Sequence, residues 1–211
     1  MGYSHYWERP AVLGTEEEFE EFAKDCRKVF VFCENELGIK LANDDTTIGS
    51  APNADKNEVS FNGSDEQPLG IWTTYEEVVV PWPTPAASIL DADEPVAGNW
   101  GLGGTLVTKR IAPCDNLATV ARGSYEPVCI ERCIAGDALQ LDESIEKGLF
   151  FRSCKTAYRP YDLTVTAVLI ALKHHFPVCE ISSDGEEKDW LDGRILCNNV
   201  LGYGLNTEID Y

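Results

Sequence analysis

One helix, predicted over residues 161–175, constrains the fold of this 211-residue chain more than any other feature. Between Leu163 and Leu172 only two residues are polar, and both are threonines. A helix that is apolar on all sides is buried on more than one of them. Because a helix of about 14 residues is too short to span a bilayer, the pattern predicts the core helix of a soluble domain.

The residues on either side of this helix predict an alternation of strands and helices. Pro160 presets φ for a first helical turn, and Asp162 is favourable near a helix N-terminus. Strands are predicted at residues 150–154 and 178–181, and a second helix at residues 186–201 with Gly202 as its C-cap. Such a βαβα unit favours two parallel strands joined by a right-handed crossover.

The first half of the chain contains the clearest amphipathic helix. Thr15 and Glu18 have the spacing of a capping box at its start. The apolar residues between Phe19 and Leu37 recur every three or four positions, and Gly38 is expected to close the helix. Strands are predicted at residues 3–7, 39–42, 59–63, 72–82, 106–108 and 118–121, and a strand or one helical turn at 127–134.

These elements predict a single α+β domain over residues 1–211, with a mixed sheet and a C-terminal βαβα unit. Core elements are expected at residues 1–80 and 148–203. Between them, residues 81–147 are predicted to form a long irregular insertion, because their first part is rich in Pro, Ala, Asp and Gly without a clear period. A hydrophobic content of 44% is sufficient for one core.

The formal net charge of −19 is the strongest global property of the chain. It argues against nucleic acid and anionic membranes as partners, because both require a basic surface. The sequence contains no run of 18 apolar residues, so no transmembrane helix is predicted. Residues 1–7 lack the basic start and apolar run of a signal peptide. The simplest interpretation of the acidity is solubility alone.

Several polar side chains fall where predicted strands end and helices begin. Lys155 and Arg159 follow the first strand of the βαβα unit, and Ser182, Ser183 and Asp184 follow the second. Ligands of α/β sheets bind at such strand ends, so these residues are candidates for binding a small anion. Ordinary turn and capping chemistry is the alternative explanation.

The sequence predicts no catalytic residues, no metal site and no cofactor. Its only histidines are His5, His174 and His175. The adjacent pair points about 100° apart on a helix and cannot bind one metal together, as an i,i+4 pair would. Neither a CxxC nor an HxxxH motif completes a site with Cys179, and no serine lies in a GxSxG elbow.

Eight cysteines are many for a chain in a reducing compartment. Four of them, Cys26, Cys33, Cys154 and Cys179, fall in predicted core elements. Three fall in the predicted insertion, and one lies on the last helix and has no predicted orientation. The candidates for disulfides between chains are therefore Cys114, Cys129, Cys133 and Cys197. The alternative is that all eight are buried thiols.

Five motifs resemble those of a family of small bacterial and phage proteins with no assigned activity. They lie at Gly2–Trp7, Phe61–Gly63, Lys155–Asp162, Lys173–Phe176 and Ser182–Gly185. Residues 71–147 do not match the family. The additional cysteines, the acidity and this enlarged middle are similar to a fungal branch whose members form protein crystals in vacuoles. This resemblance implies self-association and a vacuolar location, and it carries over no catalytic residues.

Three classes of function remain open from the sequence. The leading hypothesis is a structural protein whose partner is a second copy of itself. The second is an enzyme that binds a small ligand or phosphate at the strand ends near Lys155 and Ser182–Gly185. The third is an interaction module that binds another protein.

Overall fold

The computed structural model describes residues 3–43, 50–64, 77–81, 105–109, 123–134, 148–157 and 159–211. Within these ranges the elements are β1 (Ser4–Pro10), α1 (Glu16–Asn35), β2 (Leu41–Ala42), β3 (Asn53–Ala54), β4 (Glu58–Gly63), β5 (Glu77–Pro81), β6 (Thr105–Lys109), β7 (Val128–Glu131), β8 (Leu149–Lys155), α2 (Asp162–His175), β9 (Glu180–Ser183) and α3 (Glu187–Leu201).

Helix α1 begins at the predicted capping box. The Thr15 hydroxyl accepts a hydrogen bond from the Glu18 N–H (3.2 Å), and the Glu18 carboxylate accepts one from the Thr15 N–H (2.8 Å). Its apolar face is buried through Phe19, Phe22, Ala23, Cys26, Val29, Phe30 and Cys33. The helix ends at Asn35, and Gly38 follows it with a left-handed φ of +66°.

Helix α2 is the buried helix that the sequence predicted. Every residue from Asp162 to Leu172 is buried, including both threonines. The Thr166 hydroxyl donates to the Leu163 carbonyl at 3.0 Å, so a polar group is accommodated in the core without a partner outside the helix. Helices α1 and α3 both pack against α2, which explains why the helix has no polar face.

A three-stranded sheet in the order β8-β1-β9 is formed around β1. Both neighbours are antiparallel to β1, and Trp7 is paired with Arg152 on one side and with Ile181 on the other. The two strands of the predicted βαβα unit therefore do not pair with each other directly, and both pairings in this sheet are antiparallel. Strands β8 and β9 do run in the same direction, but β1 separates them because its alternating buried side chains, such as His5 and Trp7, complete the face that covers the helices.

A second sheet is centred on β4, with β7 on one side and β2 and β3 on the other. Residues Val128 and Ile130 of β7 are fully buried. The predicted irregular insertion at 81–147 is therefore only partly irregular, because β6 and β7 lie within it and β7 contributes to the core. Strand β6 confirms the strand predicted at 106–108, and β7 shows that the element predicted at 127–134 as a strand or one helical turn is a strand.

The buried side chain of Arg9 connects the two sheets. It donates hydrogen bonds to four backbone carbonyls, those of Pro10, Ala11, Glu131 and Arg132. Next to it, the Leu13 N–H donates to the Arg132 carbonyl and the Ile134 N–H to the Ala11 carbonyl, each at 2.9 Å. Burial lowers the pKa of the Arg9 guanidinium. These carbonyl contacts compensate for the loss of its hydration.

The described elements form one mixed α+β fold, as predicted. Strands β5 and β6 pair with each other in antiparallel register. The strand predicted at 118–121 lies outside the described residues. In the part of the chain that the structure describes, no helix is long and apolar enough to cross a membrane.

Replacing Leu169 by alanine tests whether α2 is central to stability. Leu169 is fully buried, so we expect Leu169→Ala to reduce the free energy of unfolding by about 2–5 kcal/mol. Chemical denaturation measures this loss. Val178→Ala is the control, because Val178 is 57% exposed. A loss below about 1 kcal/mol for Leu169→Ala would show that the helix is peripheral.

Candidate functional site

The ends of β8 and β9 lie on the two sides of Ser4 at the start of β1. Ser4 is paired with Lys155 on one side. On the other side its carbonyl accepts a hydrogen bond from the Asp184 N–H at 3.0 Å, and its own N–H donates to the Asp184 carboxylate at 3.1 Å. Candidate residues from both strand ends are thus brought to one end of the sheet, because β8 and β9 run in the same direction.

The side chains at this end of the sheet contact different partners. The Lys155 ammonium lies 5.5 Å from the centre of the Tyr125 ring. Ser182 is paired with Tyr6 and is half-buried. The Asp184 carboxylate accepts a hydrogen bond from the Tyr6 hydroxyl at 2.9 Å. This carboxylate adds negative charge where an anion would bind, so the geometry offers an anion little stabilisation.

Arg159 lies in the turn before α2 and is half-buried. Its N–H donates to the Thr156 carbonyl at 3.0 Å, and its carbonyl accepts from the Asp162 N–H at 2.9 Å. The Nε atom of its guanidinium is buried and has no hydrogen-bond partner among the described residues. Of the five candidate residues, Arg159 is therefore the one with a buried donor that no described residue satisfies.

Ser183 faces the interior and belongs to a chain of four polar side chains, here called the His5 network: Ser183, His5, Asp162 and Thr156. The Ser183 hydroxyl lies 3.2 Å from His5 Nδ1, and His5 Nε2 lies 2.7 Å from Asp162 Oδ1. The Thr156 hydroxyl donates to the same carboxylate oxygen. All four residues are buried. The network joins β1, the turn after β8, the start of α2 and the end of β9.

Local backbone structure places each member of the network. Asp162 is the first residue of α2, where its charge also interacts favourably with the helix dipole. The N–H groups of Thr156 and Ala157 both donate to the Tyr3 carbonyl, at 3.0 and 3.1 Å. Ala157 adopts a left-handed φ of +50°, so these two bonds hold a turn that a non-glycine residue disfavours. The rings of Tyr3 and Trp190 meet the His5 ring edge to face at 4.8 and 5.1 Å.

A serine, a histidine and an aspartate in contact are also the components of a hydrolytic triad, but this geometry does not support catalysis. Acyl transfer requires backbone N–H groups that are free to stabilise an oxyanion. Here the N–H of Asp184 donates to the Ser4 carbonyl, that of Gly185 to the Ser183 hydroxyl, and that of Glu186 to the Asp189 carboxylate. His5 is also fully buried. The network therefore connects structural elements.

A second polar cluster, here called the Asp25 cluster, joins α1 to the end of α2 and to the loop after α3. The Asp25 carboxylate accepts hydrogen bonds from Lys28 (2.8 Å), His175 (3.0 Å) and Tyr203 (2.8 Å). Burial acts to raise the pKa of Asp25, but these donors hold it below its usual value. His174 stacks on the Tyr203 ring at 3.6 Å, and burial lowers its pKa.

The cysteines divide into buried and accessible thiols. Five are buried, namely Cys26, Cys33, Cys154, Cys179 and Cys197. Burial raises their pKa values, to about 12 for Cys33 and about 11 for Cys179. Cys197 faces the core and donates to the Ala167 carbonyl at 3.2 Å, so a second chain cannot reach it in the folded state. Cys133 is exposed and Cys129 is half-buried, and Cys114 lies outside the described residues.

The described part of the chain groups no three His, Cys, Asp or Glu side chains as a metal site would. A groove of about 400 Å³ lies beside His174 and is lined by His174, Asn198, Tyr203, Asn206 and Thr207, together with nearby glycine and leucine residues. Since Tyr203 is already hydrogen-bonded to Asp25 and stacked on His174, the groove presents mainly neutral amide and hydroxyl groups.

Removing the carboxylate of the His5 network should destabilise the fold. Asp162→Ala leaves the His5 N–H and the Thr156 hydroxyl buried without an acceptor, so we expect a loss of about 2–4 kcal/mol in the free energy of unfolding. Asp162→Asn is the matched control, because its amide oxygen still accepts both hydrogen bonds, and it should lose less. Equal losses for the two variants, measured by chemical denaturation, would contradict the proposed role of the acceptor.

Comparison with models of protein families, with curated proteins and with solved structures found no match. The assignment of a function to this chain therefore depends on the residues described above and on the motifs of its sequence.

Proposed function

We propose that this chain is a structural protein that assembles with copies of itself into ordered crystals, stabilised by acid and linked by disulfides, inside a vacuole. It acts there in gravity sensing or storage. Its partner is itself, and it requires no cofactor, nucleic acid or membrane.

The observation that carries this proposal is an accessible thiol on an ordered element. Cys133 is exposed, and its backbone pairs with Val12 in a β-bridge at the junction of the two sheets. Val12 is itself 53% exposed. A thiol held by backbone pairing beside an apolar surface is well placed to meet a cysteine of another molecule, whereas the five buried thiols are not.

The charge of the chain supports control by pH. With 36 acidic and 17 basic residues, copies of the protein repel one another at neutral pH. Packing acidic surfaces together raises the pKa values of their carboxylates, so the assembled state binds more protons and falling pH favours it. The sequence pI of about 4.4 marks the pH at which net repulsion vanishes.

The Asp25 cluster supports the survival of the fold at that pH. The pKa of Asp25 is lowered in the folded state, so its stabilising contribution is present above the unfolded pKa of about 3.9 and is lost only as pH falls through the lower, folded pKa. His174 acts in the opposite sense. Its pKa is also lowered, so the unfolded chain binds this proton more readily than the folded one. His174 therefore reduces the stability of the fold as pH falls below about 6.5.

The sequence motifs add a resemblance to octin, the fungal protein that forms gravity-sensing crystals in zygomycete vacuoles. They supply the vacuolar location and the crystalline form of the proposed assembly.

Binding of a small ligand or phosphate at the strand ends is a second candidate function. The buried Nε atom of Arg159, without a hydrogen-bond partner in the described ranges, is the observation that favours it. Lys155 would contribute a second positive charge, and the Ser182 hydroxyl a hydrogen bond. The Asp184 carboxylate at the same end of the sheet opposes it.

Acidification should drive ordered assembly. Between pH 7 and pH 4, with reductant present, light scattering should begin to rise somewhat above the pI of about 4.4, and microscopy should show ordered particles. Neutralisation should dissolve them because the carboxylates ionise again. Disordered precipitate, or monomers that persist down to the pI, would contradict the proposal and favour an interaction module that binds another protein.

Disulfides should link chains within the assembled form through at least one of Cys114, Cys129 and Cys133. Dissolved assemblies should migrate as covalent oligomers on a denaturing gel without reductant and as monomers with it. Cys133→Ser should reduce the oligomer fraction most among variants of the described cysteines, because its thiol is the most exposed. Cys129→Ser is the matched control. Monomers in both lanes for the unmodified chain would exclude disulfide linkage.

A further inference from the structure

We infer that two copies of the chain associate through the outer edge of β8, which no described strand covers, so that two three-stranded sheets become one six-stranded sheet. This inference rests on the proposed self-assembly and identifies the surface that mediates it. It commits to a second copy as the occupant of the edge.

The outer edge of β8 has backbone groups that are ready to pair. The Thr156 N–H donates to the Tyr3 carbonyl, next to β1. Because every second residue of a strand directs its N–H to the same side, the N–H groups of Cys154 and Arg152 also face β1. In an antiparallel strand the alternate residues point the other way, so Phe151 and Ser153 direct their N–H and C=O groups outward. Within the described chain no backbone group bonds to them, although the Phe151 carbonyl accepts one bond from the Arg152 side chain.

Both ends of this outer edge are defined. At one end, the Lys155 N–H donates to the Glu126 carboxylate (2.7 Å) and the Lys155 carbonyl accepts from the Glu126 N–H (3.2 Å). At the other end, Gly148 turns the chain with a φ of +71°. The part of this edge that no described residue covers, here called the free edge, therefore runs from Leu149 to Ser153, and Phe151 is its centre.

A segment centred on Phe151 is complementary to itself. Antiparallel pairing of two copies about a twofold axis at this position sets Phe151 opposite its counterpart and Leu149 opposite Ser153 of the second copy. The antiparallel pattern then gives about six hydrogen bonds between the chains. Phe151 is 46% exposed and stacks on Tyr6 at 5.6 Å. The pairing would place two such stacked pairs next to each other on one face and bury part of this apolar surface.

The charges of the described residues at this edge favour the approach of a second copy. Strand β8 contains Arg152 and Lys155 and no acidic residue, in a chain whose net charge is −19. Among the described residues, the carboxylates nearest this edge are those of Glu126, bonded to the Lys155 N–H at one end of it, and Glu8, which is paired with Phe151. The twofold axis would place the two Glu126 residues at opposite ends of the contact. Three strand spacings would separate Glu8 from its counterpart by about 14 Å, which exceeds the screening length of about 8 Å at physiological salt. Two copies can therefore approach here with little repulsion.

The size of the contact explains why assembly would depend on conditions. Two five-residue edges bury much less than the 1,200–2,000 Å² or so of a stable interface. The contact should thus form at high local concentration, and a disulfide or reduced net charge would reinforce it.

Cross-linking tests the geometry directly. In a background with Cys114, Cys129 and Cys133 changed to serine, Phe151→Cys places a thiol on the proposed twofold axis. Directly opposed residues in this register are about 5.5 Å apart between Cα atoms, a separation that a disulfide spans. Oxidation at high protein concentration should give covalent dimers about tenfold faster than for Val178→Cys. Val178→Cys is the control, because Val178 is also exposed and lies outside the edge.

A proline on the same edge tests whether backbone pairing is required. Ser153→Pro removes only an outward N–H and leaves the pairing with β1 intact, as proline on an edge strand permits. It should abolish the fast Phe151→Cys cross-link and prevent acid-driven assembly. Ser153→Ala keeps the N–H and should change neither. A circular dichroism spectrum and a thermal unfolding midpoint close to those of the unmodified chain establish that Ser153→Pro is folded.

The outcomes separate this inference from the proposed function. If the unmodified chain assembles, and Ser153→Pro assembles equally well with no preference for cross-linking at Phe151→Cys, the edge is not the interface but self-assembly stands. If the unmodified chain does not assemble at any pH but the cross-link forms selectively, the edge pairs and the crystal proposal fails. If the unmodified chain does not assemble and Phe151→Cys does not cross-link selectively, both the inference and the proposed function are overturned.

Discussion

The contact between His5 and Asp162 is the interaction on which the arrangement of the main sheet and helices depends. It joins the strand at the centre of the three-stranded sheet to the first turn of the most buried helix. Each group is buried and needs the other, because an unpaired carboxylate or imidazole N–H in this position would lose its hydration without compensation. Thr156 and Ser183 extend the contact to the strand ends on both sides, so that four separate segments share one polar network.

The local structure of the chain follows from its sequence, whereas its long-range pairing does not. The capping box at Thr15 and the apolar run of α2 determine their helices through neighbours a few residues away, and both predictions are confirmed. The place of β1 between β8 and β9 depends on residues far along the chain, and no local pattern encodes it. For the same reason the sequence leaves both a strand and a helical turn open at 127–134, since only the pairing of β7 with β4 explains the burial of Val128.

The residues of the His5 network show the same contrast between local structure and long-range contacts. His5 has no partner near it in the sequence, so its role was not predicted. A signal was nevertheless present, because the motifs at Gly2–Trp7, Lys155–Asp162 and Ser182–Gly185 together contribute every member of the His5 network. The structure brings these separate segments into contact, and here the contact is structural.

The central position of β1 leaves it without its partner strands while the protein is being synthesised. The ribosome synthesises β1 long before β8 and β9, the two strands that pair with it. Throughout that interval both edges of an aromatic-rich strand are without their native partners, and such strands pair readily with other chains. The edges of β1 in a nascent chain therefore stay open to such pairing until the last third of the chain has emerged. Chains that terminate early would retain an unpaired β1 and would be prone to aggregate.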